Sequence, residues 1–303
     1  MKTSTKQISL LLAAAALLSS CAVGERHETT IERKWPASAI HNVKIGDGDG
    51  NVTVTAGDVN EISLVAQVST RGIKPKPAEE NQGYFRTTLS GDTLTIGRRG
   101  SHGFRVHFGF FNADDVTIDY TLHVPASVAL SVTTVNGRIH ASGIDGETRA
   151  VTVNGMVDLE TTGLNEVVAT AVNGEVRAKF LRDFRGAHLK TVNGRIEASL
   201  PSTASFVCDL SQVNGDFDSS FPLISRSSPG NRHISGEVNG GRNELRISTV
   251  NGSIRVENGG PVVPAAPAAP SAPPTMSNPP AAPAPPTPPA APATPAPSPD
   301  KTL

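Results

Sequence analysis

Thr134-Val135-Asn136-Gly137-Arg138-Ile139 is the stretch that decides the fold. It returns almost unchanged as Thr191-Val192-Asn193-Gly194-Arg195-Ile196 and as Thr249-Val250-Asn251-Gly252-Ser253-Ile254. Its centre, Val-Asn-Gly, recurs with asparagines at 136, 154, 173, 193, 214, 239 and 251, so the successive spacings are 18, 19, 20, 21, 25 and 12. A period of about 20 residues marks a repeat architecture, in which each unit buries its apolar side only by stacking on a neighbour.

Asn-Gly between alternating apolar residues ordinarily signals a two-residue hairpin, and the residues flanking such a turn pair and share a face. Here Val always precedes the pair, whereas Arg138, Met156, Glu175, Arg195, Asp216, Gly241 and Ser253 follow it. The apolar residue comes one position later, as Ile139, Val157, Val176, Ile196, Phe217 and Ile254, and fails only at Arg242. Strict alternation then puts Val153, Gly155, Val157 and Leu159 on one face, which disfavours hairpins. It predicts a strand that bends at Asn-Gly and continues.

The expected fold is therefore all-β, a parallel β-solenoid (β-helix) of rungs about 20 residues long, each copy stacked on the one before. Its corners are Asn136-Gly137, Asn154-Gly155, Asn173-Gly174, Asn193-Gly194, Asn214-Gly215 and Asn251-Gly252. Gly tolerates the tight inward bend, and the Asn side chains can pair from rung to rung. Asn239-Gly240-Gly241 breaks the spacing and lacks the apolar follower, so it reads as a loop. The same parity points Lys190 inward, which requires short strands or an imperfect pattern. At ~4.8 Å per stacked strand, about ten rungs would make a rod of roughly 50 Å.

Outward from the repeats, Val52 to Thr55, Ile62 to Val68, Asp92 to Ile96 and Val116 to Val124 also alternate in the β manner. The β-solenoid domain is thereby placed at residues 40–258, and the hydrophilic run Arg71 to Gly83 reads as an exposed loop. From Pro261 to Pro299 the chain is nearly all Pro, Ala, Ser and Thr. Such a segment forms no packed core, and residues 259–303 are expected to be a disordered, extended Pro/Ala-rich tail.

The N-terminus carries Lys2 and Lys6, an apolar run from Ile8 to Leu18, then Ser19, Ser20 and Cys21. This is a secretory signal, too short for the ~20 residues that cross a bilayer. Leu18-Ser19-Ser20-Cys21 resembles the bacterial lipoprotein processing box. The resemblance implies cleavage before Cys21, lipidation of its sulfur, and attachment to a membrane through that lipid. Residues 1–20 are then the signal peptide and 21–39 a short linker. Ala22 after the cysteine fits sorting to the outer membrane. Cys208 is the one other cysteine, so the mature chain has no intrachain disulfide, and its apolar surroundings read as core.

Removal of Lys2 and Lys6 leaves 25 basic against 28 acidic side chains, a net charge of −3 without long runs of either sign. Nucleic acid is thus a poor partner. Asp47-Gly48-Asp49-Gly50-Asn51 opens like a calcium loop, but Val52 stands where that loop needs Gly and Asp58 where it needs Glu. It reads as an acidic turn. His102, His107, Asp114 and Asp115 match no closed metal pattern. Phe104, Phe108, Phe110 and Phe111 read as local core or as a cap over the open end of the stack.

The TVNGRI-like hexads and the segment Val116-Thr117-Ile118-Asp119-Tyr120-Thr121-Leu122-His123-Val124-Pro125 together resemble the bacterial "putative adhesin" domain family of unknown function. Its members are β-solenoids of exported or membrane-tethered proteins. The resemblance covers residues 40 to 257 and implies architecture, without catalytic residues to carry over. No nucleophile elbow, phosphate loop or zinc spacing is found. The post-Gly positions also lack the acidic cluster that a carbohydrate-active β-helix enzyme needs. The expectation is a non-enzymatic envelope protein without cofactor or metal, presenting a rigid face for adhesion, binding or scaffolding. Its partners would be an envelope protein or polysaccharide; an envelope-stress regulatory role is the other non-enzymatic reading.

Overall fold

The computed structural model describes residues 26–71, 85–98, 115–228 and 231–259. The signal segment, Cys21, all but the first residue of the 71–83 loop, the His102, His107 and Phe cluster, and all of the tail beyond Gly259 lie outside the described residues. Those described are strands and turns, with a single 3-10 turn at Ala37–Ala39.

Two sheets of ten and eleven strands share one hydrophobic core. Each rung runs along one sheet, bends at its corner, and returns along the other. Thr148–Asn154, for example, leads through Gly155 into Val157–Thr161. Strands of successive rungs pair in parallel, Val157 lying against Ile139 on one side and Val176 on the other. The residue two beyond Gly forms a continuous inner column of Val52, Ile139, Val157, Val176, Ile196 and Ile254, all 1% exposed or less. Burial of each such side chain contributes about 1.5–3 kcal/mol. A short β-branched residue at this point lets rungs stack without splaying.

The solenoid is as predicted, yet its layer order departs from chain order. The rung at Asn193 is followed in space by the one at Asn251, and Asn214 comes last. Having laid down the Asn193 rung, the chain skips one layer and builds Phe206–Asn214 and Phe217–Ser219. It then doubles back through Ile224–Ser228 and Asn231–Val238, and Asn243–Asn251 and Ile254–Asn258 fill the vacant layer. The irregular spacings 25 and 12 belong to this detour. Asn239-Gly240-Gly241 is its turn, crossing the start of strand Phe206–Asn214 and held there by Asn239 Nδ2 on the carbonyls of Ser202 and Ala204.

Not all pairing is parallel, as the repeats alone had implied. At one end Arg26–Pro36, Glu61–Arg71 and Asp115–Pro125 pair antiparallel, and at the other Asn231–Val238 runs antiparallel to both its neighbours. Rungs with corners therefore number seven among the described residues, counting the one at Asp49, and the remaining strands close the ends. Arg26–Pro36 falls in what the sequence suggested was a linker. Its inward side carries mostly polar residues, with Ile31 and Trp35 the apolar ones, so the alternation was faint. Its outward charges, among them Glu28, Glu32 and Lys34, deter edge-to-edge pairing.

Alternation also fails across the corner. Thr152 and Val157 both face the core, whereas an uninterrupted strand would place residues five apart on opposite faces. The Asn-Gly bend absorbs the odd residue. The threonine is thus buried and the valine beside Asn points out: Thr134, Thr152, Thr191 and Thr249 are buried, while Val213 and Val250 are 42% and 40% exposed. This corrects the expected inward valine, and Lys190 is exposed accordingly.

Candidate functional site: the corner ladder and its outer columns

The corners form one exposed ladder in the order Asp49, Asn136, Asn154, Asn173, Asn193, Asn251, Asn214. Asn154 Nδ2 donates to Asn136 Oδ1 at 2.8 Å and Asn173 Nδ2 to Asn154 Oδ1 at 3.0 Å. Asn193, Asn251 and Asn214 continue with bonds of 2.9 Å each. Asn136 Nδ2 in turn donates to Asp49. Every side-chain donor points the same way, and the row ends on a carboxylate that can only accept.

The glycine backbone runs in the opposite sense. Gly155 N–H donates to Asn173 O at 3.1 Å and Gly174 N–H to Asn193 O at 2.9 Å. Here only glycine fits. A Cβ on Gly155 would lie 2.0 Å from Gly137 O, and one on Gly174 1.7 Å from Gly155 O. At three corners the inward residue two before Asn bonds a neighbouring glycine carbonyl: Thr152 Oγ1 donates to Gly137 O at 3.3 Å, Thr191 Oγ1 to Gly174 O at 3.0 Å, and Gln212 Nε2 to Gly252 O at 2.6 Å, whereas the buried Thr134 and Thr249 hydroxyls make no such bond and Ala171 stands at the Asn173 corner. Sequence reading missed this threonine, although the Thr in each TVNG copy signalled it.

It also missed Asp49. The segment compared above with a calcium loop is the first corner, with Asp49 in the Asn position and Gly50 in the Gly position. Asn51 donates through its backbone N–H and its Nδ2 to Asp119 Oδ1, at 2.7 and 3.0 Å, and Arg98 Nη1 lies 3.6 Å from Asp49. Asp47 turns inward and is 4% exposed. Burial pushes its pKa up to about 7, against the opposing Gly48 N–H and Arg98; Asp49 and Asp119 add to the rise. No group of three or more His, Cys, Asp or Glu among the described residues could hold a metal ion. Cys208 is buried, and burial chiefly, with Asp209, raises its thiol to about 12, far from nucleophilic.

On the outer faces, register turns single residues into columns. One column reads His140, Asp158, Arg177, Glu197, Arg255, Asp218 across adjacent strands, alternating in sign wherever the histidine is protonated. Its bonds include His140 Nδ1 to Asp158 at 3.2 Å, Arg177 Nε to Glu197 at 3.4 Å, and Arg255 Nε to Asp218 at 3.6 Å. Burial works against the Arg177 charge, but Glu175 and Glu197 outweigh it and raise its pKa. On the opposite sheet Arg149, Val168, His188, Arg246 and Asp209 align, with His188 Nε2 3.9 and 3.8 Å from Glu166 and Glu244. Beside the ladder runs an outward valine column that includes Val135, Val153 and Val172. These surfaces offer fixed, repeated contacts at one-rung intervals.

Over residues 22–257 the sequence matches the family model described as Toastrack DUF4097. No curated protein matches the chain. Among solved structures, a "putative cell adhesion protein" from Clostridium sporogenes is 9% identical, with 77% of this chain and 100% of that chain covered and a TM-score of 0.43. A "putative adhesin" from Bacteroides fragilis is 9% identical, covering 76% and 96%, with a TM-score of 0.33. A "putative lipid binding protein" from Parabacteroides distasonis is 12% identical, covering 76% and 94%, with a TM-score of 0.30.

Proposed function

The chain belongs to the Toastrack DUF4097 family, and from that premise we propose that it is an exported, lipid-anchored envelope protein whose solenoid is a rigid, non-enzymatic binding platform. Cys21 carries the lipid and fixes the N-terminal end to a membrane, the outer membrane by the residue that follows it. The solenoid presents its columns to an envelope protein or a polysaccharide, for adhesion or scaffolding.

The observation that supports this reading is the alternating column His140, Asp158, Arg177, Glu197, Arg255, Asp218. Its charges are held at strand spacing, about 4.8 Å, by the parallel pairing of the strands that carry them. A surface of that kind recognises extended, periodic partners through many small contacts, each worth a fraction of a kcal/mol.

Two measurements test it. Metabolic acyl labelling should appear on the full chain and vanish in Cys21→Ser; persistence of label in that variant defeats the anchor. Full-length protein should bind isolated envelope fractions, and the double variant Arg177→Glu, Arg255→Glu should bind more weakly at unchanged circular dichroism. Protease treatment of the fractions separates a protein partner from a polysaccharide. Binding that is absent, or indifferent to the double variant, refutes the platform.

A further inference from the structure

We propose that the ladder is also a chemical lock. It holds five Asn-Gly pairs against imide formation and leaves Asn214-Gly215 and Asn239-Gly240 as the sites at which the folded chain is modified. In this reaction the backbone nitrogen of Gly, once it has lost its proton, attacks the Asn Cγ. The bond from Cγ to the side-chain nitrogen breaks, ammonia leaves, and a five-membered succinimide remains. Water then adds across either ring carbonyl, giving aspartate or isoaspartate. The sequence of steps is redox-neutral and needs no partner but water.

Each hydrogen bond that must first break slows the reaction, and three freedoms speed it: a Gly nitrogen available as nucleophile, a side-chain amide able to swing, and room for the new ring. At Asn154-Gly155 all are removed. Nδ2 donates to Asn136, Oδ1 accepts from Asn173, and the Gly155 N–H is engaged by Asn173 O. The same three bonds recur at 136, 173, 193 and 251, where the glycine N–H reaches Asn154 O, Asn193 O, Asn251 O and Asn214 O. Asn258-Gly259 shares the decisive one, its Gly nitrogen donating to Leu200 O at 2.8 Å.

Asn214 is the last member of the row. Its Nδ2 donates to Asn251, but no further rung supplies a donor to its Oδ1 or an acceptor to Gly215 N–H among the described residues. Arg232 covers only the Gly215 carbonyl, at 3.2 Å, and Gly215 itself is exposed. Asn239-Gly240 stands in the crossing turn, exposed at both residues; Asn239 Nδ2 is tied to the Ser202 and Ala204 carbonyls, but no acceptor for the Gly240 N–H lies among the described residues. The chemistry at Asn214 has a structural consequence. A carboxylate there cannot donate to Asn251 Oδ1, so modification loosens the terminal layer, whereas Asp49 at the accepting end is compatible with the row.

The experiment is ageing of the full chain in mildly alkaline buffer, followed by peptide mapping for the mass gain of amide-to-acid conversion and for isoaspartate. Peptides holding Asn214 and Asn239 should convert on the order of tenfold or more faster than those holding the five locked corners, since one or two fewer hydrogen bonds must break. In strong urea all pairs should converge on one rate, because each is followed by Gly. Equal rates in the folded protein would overturn the lock, as would two unmodified peptides at 214 and 239 alongside full conversion in urea. In Asn239→Gln the signal at 239 should disappear while that at 214 persists; loss of both would show that the two are not independent sites.

Discussion

The one-way donation in the ladder predicts that its two kinds of acid are not interchangeable. Asn154→Asp keeps the bond accepted from Asn173 at 3.0 Å but removes the one donated to Asn136 at 2.8 Å, and brings a carboxylate oxygen against Asn136 Oδ1. A net hydrogen bond is worth about 0.5–1.5 kcal/mol, and facing acceptors add to its loss, so the cost should reach about 1–2 kcal/mol. For a domain of this size that lowers the melting temperature by about 2–8 °C. Asp49→Asn should do much less. It keeps the acceptor for Asn136 and gives up only the partly exposed Arg98 contact, worth about 0–1 kcal/mol. The two variants should be compared by urea and thermal unfolding across pH. The introduced carboxylate has a folded-state pKa above its unfolded value, so its penalty is present above the folded pKa and disappears below about 4, where an O–H can again donate. Equal costs for the two variants, or a penalty at position 154 that grows in acid, would refute a directional ladder.

Other outcomes follow from the same geometry. Gly155→Val or Gly174→Val should destabilise the domain by more than about 4 kcal/mol or prevent folding, because the Cβ would sit within 2.0 Å of a carbonyl oxygen; unchanged thermal unfolding would remove these glycines from the corners. Thr191→Val preserves shape but leaves Gly174 O without its hydroxyl, and chemical denaturation should report a loss of about 1–3 kcal/mol. Asp47, raised by burial to about 7 in the folded chain, binds its proton more tightly folded than unfolded. Stability should therefore fall as pH rises from about 4 to about 7 and then level off, and Asp47→Asn should flatten that segment of the curve.

Much of this was legible in the repeats, because a stacked architecture must return the same residue to the same place. The glycine and the branched residue two beyond it obey that demand, and the Asn row follows from their spacing. Parity was misread at the corner since alternation holds only along an unbroken strand, and a bend that takes up one residue reverses every assignment before it. A hydropathy count sends Val153 inward rather than Thr152; the bend reverses the two, and at Thr152 the buried hydroxyl is satisfied by a neighbouring Gly carbonyl. Asp49 was hidden because Asp serves as well as Asn only at the accepting end. The antiparallel strands could not be told from parallel ones, as both alternate with period two. The spacings 25 and 12 marked an irregularity, but whether the chain looped out or doubled back depends on contacts far apart in sequence.

That doubling back governs how the domain bears load. In a stack laid down in chain order, tension on the C-terminus would peel off the outermost layer one hydrogen bond at a time. Here the strand that ends at Asn258 lies inside, clamped between Ile196–Leu200 and Phe217–Ser219. A pull from that end must slide an interior strand against two neighbours at once, breaking many bonds together. Among the described residues the rung latest in the chain is thus a keystone, set between two that precede it.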